Sequence, residues 1–230
     1  MTIKRDYGQF CGLAAGLNIL GERWTLLIIR ELLIDTARFS ELLESLRGIG
    51  PNLLTERLRS LEKNGIVVQV PVPDDLRGRY YRLTARGEEL RQPVLGLARW
   101  GMPFLHERDA HGTVRADWGF LAVQAMVRPD HIPHDRHEQY LFEVGDRNFT
   151  IEVDRGHVSY SRRRPPRPDL TITTDAETFI RIGARMISPL EALVKGTIRM
   201  DGDIDVIQRC SAMLGLGIEP TGSKVSNLAG

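Results

Sequence analysis

The chain has 230 residues, 42% apolar and 27% charged, with 31 lysines and arginines against 30 acidic residues. That is a globular composition long enough for two ordinary domains, and its near-balanced charge excludes a chain-wide basic field, so any nucleic-acid contact must come from local placement of charge. No apolar run reaches bilayer length, the start "MTIKRDYGQFCG" has no apolar leader core, and Cys11 and Cys210 are too few for a disulfide or zinc framework. The expectation is a cytoplasmic protein without membrane contact.

Residues 11–20 carry apolar side chains at helical spacing and stop at Gly21. "WTLLIIRELL", from Trp24, is apolar on nearly every side except Arg30 and Glu31, which predicts the most buried helix of this half. "FSELLESLR" repeats Phe39, Leu42, Leu43 and Leu46 at helical spacing, and "GIG" at 48–50 breaks it. In the next helix, "PNLLTERLRSLEKNG", Pro51 suits the first helical position and Asn64-Gly65 a left-handed stop. Leu54, Leu58 and Leu61 form its core stripe, Asn52, Glu56, Arg59 and Lys63 lie opposite, and Thr55 sits at the shoulder.

Alone, such a face reads as a solvated surface. Here the strand candidates "IVVQV" and "YYRLT" follow, joined by "PVPDDLRGR" as a hairpin with Arg77 and Arg79 near its tip and Arg82 on the return. Thr84 can cap a final helix with apolar positions Leu90, Val94, Leu97 and Trp100. Helix, turn, helix and basic hairpin is the layout of a winged helix-turn-helix, whose second helix enters a major groove while the wing lies along the backbone. Asn52, Thr55 and Arg59 are then candidates for base edges or groove walls, Lys63 for a phosphate, and Arg77 and Arg79 for the wing contact. Glu56 either accepts from a cytosine or pairs with Arg59.

The stretches "CGLAAGLNILGERWTLLIIRELL", "RFSELLESLRGIGPNLLTERLRSLEKNGIV" and "YYRLTARGEEL" resemble the HxlR-type transcriptional regulators, winged-helix proteins related to the MarR group, from about Cys11 to Trp100. The resemblance implies a homodimer on an inverted-repeat, double-stranded operator, dimerised through terminal helices that here are residues 11–20 and 88–100. The family commonly carries a cysteine near its start, a thiol that senses electrophiles or oxidants in some members. Cys11 matches it, although Gly12 stands where proline usually follows. With Phe10 and Leu13 beside it, both a packed, inert thiol and a redox sensor stay open.

The polar stretch "HERDAHGT" begins a different object. "DWGFLAVQAMV" has a helical pattern, and "HEQYLFEV", "NFTIEVD" and "HVSYSR" alternate as strands across turns at Gly145-Asp146 and Arg155-Gly156. "DLTITTDAETFIRIGARMI" is a strand and then a helix from Asp175, "SPLEALVKG" a helix capped at Ser188, and "TIRMDGD" a last strand before "IDVIQRCSAML". The class is α+β. This half is similar to the sterol carrier protein-like (SCP-type) lipid-binding domains over about Trp118 to Leu214, on "VGDRNFTIEVDRGHVSY", "DLTITTDAETFIRI" and "SPLEALVKGTIRMDGDIDVI". The resemblance implies an antiparallel sheet with helices enclosing an apolar cavity; Phe179, Met186, Leu190 and Leu193 are the candidate lining residues.

The expected organisation is a winged helix-turn-helix domain over 1–105, a linker over 106–116, an SCP-type domain over 117–215 and a flexible tail over 216–230. It suggests a transcriptional regulator whose DNA affinity a small hydrophobic ligand biases. The alternatives are a thiol-based regulator acting through Cys11 with a purely structural second half, and a lipid-binding or transfer protein. No catalytic residue, cofactor or metal is expected, since no phosphate loop, dinucleotide fingerprint or nucleophile elbow occurs. His131, His134 and His137 stand near Asp130 and Asp135, but Pro133 interrupts any helix that would aim them together. "SRRRPPRPD" could grip a phosphate through Arg162, Arg163 and Arg164 or be a solvated connection.

Overall fold

The computed structural model describes residues 6–72, 75–106 and 114–216, without the side chains of Leu76 and Arg77. Most of the expected linker and all but one residue of the expected tail lie outside them. The chain divides into two compact units, Met1–Gly101 and Met102–Gly230.

The first unit runs α1 (Gly12–Leu20), α2 (Thr25–Ile34), β1 (Ala37–Arg38), α3 (Phe39–Ser45), α4 (Pro51–Lys63), β2 (Val67–Val72), β3 (Asp75–Leu83), α5 (Ala85–Glu88) and α6 (Arg91–Gly101). Ile28, Ile29, Leu32 and Leu33 of α2 pack in a core with Leu42, Leu46, Leu54, Leu58 and Leu61. Glu31, read from the sequence as part of the polar exception, is itself buried, its carboxylate accepting from Nε and Nη2 of Arg30 at 2.9 and 2.6 Å. α4 begins at Pro51 and ends in a Schellman motif: Gly65 is left-handed (φ 68), Ile66 N donates to Leu61 O, and Gly65 N to Glu62 O.

The hairpin strands extend further toward the tip than the apolar pattern indicates. Pro71 is tolerated because β2 is the edge strand of the sheet β1-β3-β2, and the pairing register shifts just after it. The expected last helix is two helices. Thr84 caps only the four-residue α5, accepting from Gly87 N at 3.1 Å. Gly87 is required there, since a Cβ would lie 2.2 Å from the carbonyl oxygen of Ile66. In α6 Leu95 is the buried position, and Leu97 and Trp100 are exposed.

The second unit contains α7 (Trp118–Met126), β4 (His137–Val144), β5 (Arg147–Asp154), β6 (His157–Ser161), β7 (Leu170–Thr174), α8 (Ala176–Gly183), α9 (Pro189–Val194), β8 (Ile198–Gly202) and α10 (Ile204–Met213). The sheet order is β6-β5-β4-β7-β8, antiparallel except at its centre, where β4 and β7 run parallel. Arg155 (φ 47) and Gly156 (φ 86) make the tight β5–β6 turn, which needs two left-handed residues. Phe142 and Phe149 stack at 5.2 Å, and Phe179 meets both edge-on from α8. Beneath them Tyr140 is fully buried, its hydroxyl donating to Glu138, which also takes a fork of hydrogen bonds from Arg209. Burial first, then the bond to Glu138, holds the Tyr140 phenol far above its usual range.

Candidate DNA interface and apolar pocket

The leucine stripe of α4 faces the core, which leaves Asn52, Glu56, Arg59 and Lys63 exposed on the opposite side. Thr55 is half-buried and its hydroxyl donates to Pro51 O at 2.9 Å, leaving its lone pairs as acceptors. Glu56 pairs with Arg57 (2.9 Å) and not with Arg59, which removes that alternative. Tyr81 of β3 is held above the usual phenol range by burial first and Glu62 second, with Arg59 opposing, so the Arg59 charge stands beside the wing strand.

The wing is organised by Asp75. Its carboxylate accepts from Gly78 N at 2.9 Å and from Arg38 Nη1 at 3.2 Å, and a Cβ at Gly78 would lie 2.4 Å from that carboxylate. Arg79 is exposed and donates from Nη1 to Gly78 O; the side chain of Arg77 lies outside the described residues. Sequence reasoning missed Arg38, which pairs with Tyr80 across β1 and β3 and lies 5.5 Å from the centre of its ring, tying the wing base to the start of α3. It also missed Arg57, whose place at the flank of the leucine stripe was the only signal.

Cys11 is the N-cap of α1 and is exposed, not packed. The amides of Ala14 and then Leu13 hold its thiol below the ordinary range. Tyr7, Phe10, Leu13 and Leu17 near it in the chain are exposed, as are Leu97 and Trp100 of α6.

The second unit has an apolar pocket of about 30 Å³, bordered by Met126, Phe142, Ile172, Phe179, Ile198, Met200, Cys210 and Leu216 among others. That is space for about one water-sized sphere. Of the four expected lining residues Phe179 borders it; Leu190 and Leu193 lie on the exposed face of α9, and Met186 is half-buried away from it. Six-residue α9 turns only one side inward, at Ala192, so its leucines face out. Burial holds the Cys210 thiol protonated, far above its usual range. Among the described residues no three His, Cys, Asp or Glu side chains come together as a metal site requires; His131 is near Asp130, while His137 stands between Glu152 and Asp154. In "SRRRPPRPD", Arg162 binds Asp117 and Arg164 binds Glu143. Among the described residues no single helix is long and apolar enough to cross a membrane; α1 and α2 pass only as a pair, bent by 82°.

Residues 19–109 match the HxlR-like helix-turn-helix family, and residues 135–215 the SCP-2 sterol transfer family. An HTH-type transcriptional regulator of Synechocystis is 32% identical over 104 residues, covering 45% of this chain and 77% of its own. The chain belongs to the HxlR-like helix-turn-helix family. The HTH-type transcriptional regulator YodB of Bacillus subtilis is 33% identical over 95 residues, 41% of this chain and 85% of its own. A Mycobacterium tuberculosis relative, also an HTH-type transcriptional regulator, is 40% identical over 101 residues, 44% of this chain but 62% of its own, so the chain spans about three fifths of that protein. Among solved structures, the reduced form of YodB is 31% identical and covers 43% of this chain and 97% of its own, with a TM-score of 0.38. The two matched families are named for a DNA-binding and a lipid-transfer module, neither for a catalysed reaction.

Proposed function

We propose that this protein is a transcriptional regulator that binds an inverted-repeat operator as a homodimer through α4 and the β2–β3 wing, and that a small hydrophobic ligand in the second unit biases its DNA affinity. The observation that carries the reading is the exposed Asn52, Arg59 and Lys63 face of α4 beside an Asp75-ordered wing in an HxlR-like chain. Amide and guanidinium groups on one helix face suit base edges, and a terminal ammonium suits a phosphate. Dimerisation is supported by the exposed aromatic and leucine side chains of the two terminal helices, which in a lone copy stay in water.

Ligand control is supported by the SCP-2 match and by the apolar lining around Phe142 and Phe179. A pocket of about 30 Å³ must widen before it accepts a lipid-sized molecule. The ligand must also favour one DNA-competence state over the other, a coupling of about 1–3 kcal/mol in typical allosteric proteins. Native mass spectrometry of the purified dimer, with organic extraction, tests this. A stoichiometric hydrophobic compound that shifts operator affinity supports ligand control, and equal affinity with and without it removes ligand control.

A second reading, thiol-based control through Cys11 with a structural second unit, is favoured by one observation: the thiol is exposed and lowered in pKa by the amides at the start of α1. Its thiolate therefore persists to lower pH than that of an ordinary cysteine. Iodoacetamide should modify Cys11 in the native protein and reach Cys210 only on unfolding; an operator affinity indifferent to Cys11 modification would leave the thiol without a regulatory role.

A further inference from the structure

Arg57 lies beside the buried stripe of α4 with a side chain only 13% exposed. Its guanidinium donates from Nη2 to Glu22 Oε2 (2.9 Å), from Nε to the carbonyl of Arg23 (3.3 Å) and from Nη1 to Glu56 Oε1 (2.9 Å). Glu22 and Arg23 belong to the corner between α1 and α2. The same corner carries Trp24, left-handed at φ 78 as the N-cap of α2, with the Arg23 guanidinium 5.3 Å from its ring centre. A bulky residue keeps that backbone conformation only where its surroundings over-determine it. The Trp24 ring lies against Gly48, where an added Cβ would be 3.6 Å from Cη2, and Gly48 (φ 96) is in the turn that launches α4. One corner thus meets α4 twice, at its launching turn and at its middle.

We propose that Arg57 is the positioning residue of the reading helix: it locks the rotation of α4, and the Glu56 side chain on its outer face, to the α1–α2 corner, so that α1 and the reading face move as one body. The proposal rests on the DNA-binding reading of α4. Base readout needs its groups held to within about 0.5 Å, which a solvated helix face does not supply by itself. Arginine is required because three acceptors in three directions match a guanidinium fork and not a lysine ammonium.

The test uses the full chain and the duplex that the wild type enriches from a randomised pool. In Arg57→Met, affinity for that duplex should fall about tenfold, the scale of one lost base contact. Affinity for an unrelated duplex should stay within about twofold and the salt slope should not change, because Arg57 is assigned no phosphate. Amides of α4 should exchange faster without DNA, and Arg57→Lys should restore only part of the discrimination. Equal loss on both duplexes with a slope smaller by about one would make Arg57 a phosphate contact and overturn the proposal. So would intact discrimination, or unchanged α4 exchange. A wild type that enriches no duplex would instead overturn the DNA-binding reading, and the exchange comparison would still decide whether Arg57 fixes α4.

Discussion

The two units place their aromatic side chains differently. The second closes Tyr140, Phe142 and Phe149 completely inside a five-stranded sheet and its helices, whereas the first leaves Phe10, Leu13, Leu97 and Trp100 in solvent at its terminal helices. Scattered exposed leucines need no explanation, but several exposed aromatic and leucine side chains on the terminal helices suit the dimer interface of the proposed function. The exposed apolar side chains of α9 and α10 in the second unit, Leu190, Val194 and Ile204, are aliphatic; under the proposed function a second copy of the chain covers the terminal helices of the first unit.

The largest expected effect lies in the second unit. Phe149→Ala should remove the stacked partner of Phe142 and cost about 3–5 kcal/mol, read as a lowered denaturation midpoint. A loss under about 1 kcal/mol would mean that this core is loosely packed. In the first unit, Arg59→Ala should cost about 1–3 kcal/mol of operator affinity and relax specificity at one base, with unfolding unchanged. Arg79→Ala should instead weaken all duplexes alike and lower the salt slope by about one.

A smaller effect is expected at Asp175 of the second unit. It caps α8 by accepting from Thr178 N at 2.8 Å and Thr178 Oγ1 at 2.6 Å. Burial raises its pKa, but the Thr178 hydroxyl and the amides outweigh it, so the carboxyl titrates below its ordinary value. A depressed folded pKa contributes stability above the unfolded pKa and loses it as pH falls through the folded one. Asp175→Ala should therefore cost about 1 kcal/mol at neutral pH, and the gap from wild type should close in acid, as urea titrations at several pH values would record. The smallest effect on folding belongs to Trp100→Glu: a surface change within about 0.5 kcal/mol, yet one that should move the sedimentation of the protein toward the monomer.

What was legible in the sequence was whatever local periodicity carries. The Leu54, Leu58 and Leu61 stripe, the Pro51 start and the Gly65 stop of α4 are properties of adjacent turns, and the polar face follows from them by geometry. Periodicity shows which side of a helix is apolar and not whether another element covers it. That is why Leu190 and Leu193 stand outside the pocket and why Leu95, and not Trp100, is the buried residue of α6. Arg57 depends on Glu22, 35 positions away, and Arg38 on Asp75, 37 away; pairs at that separation leave no pattern in one sequence. Cys11 is exposed together with its apolar neighbours Phe10 and Leu13, since apolar neighbours in sequence do not show what covers them.

Under the proposed function α4 is a DNA-reading helix in a dimer, and duplex selection from a randomised pool tests that most directly. Wild-type protein should enrich an inverted repeat with half-sites about one helical turn apart, roughly 10 base pairs, and Asn52→Ala or Arg59→Ala should erase or relax the repeat without unfolding the protein. A pool left unenriched by a folded wild type, or a repeat that survives both substitutions unchanged, would contradict it.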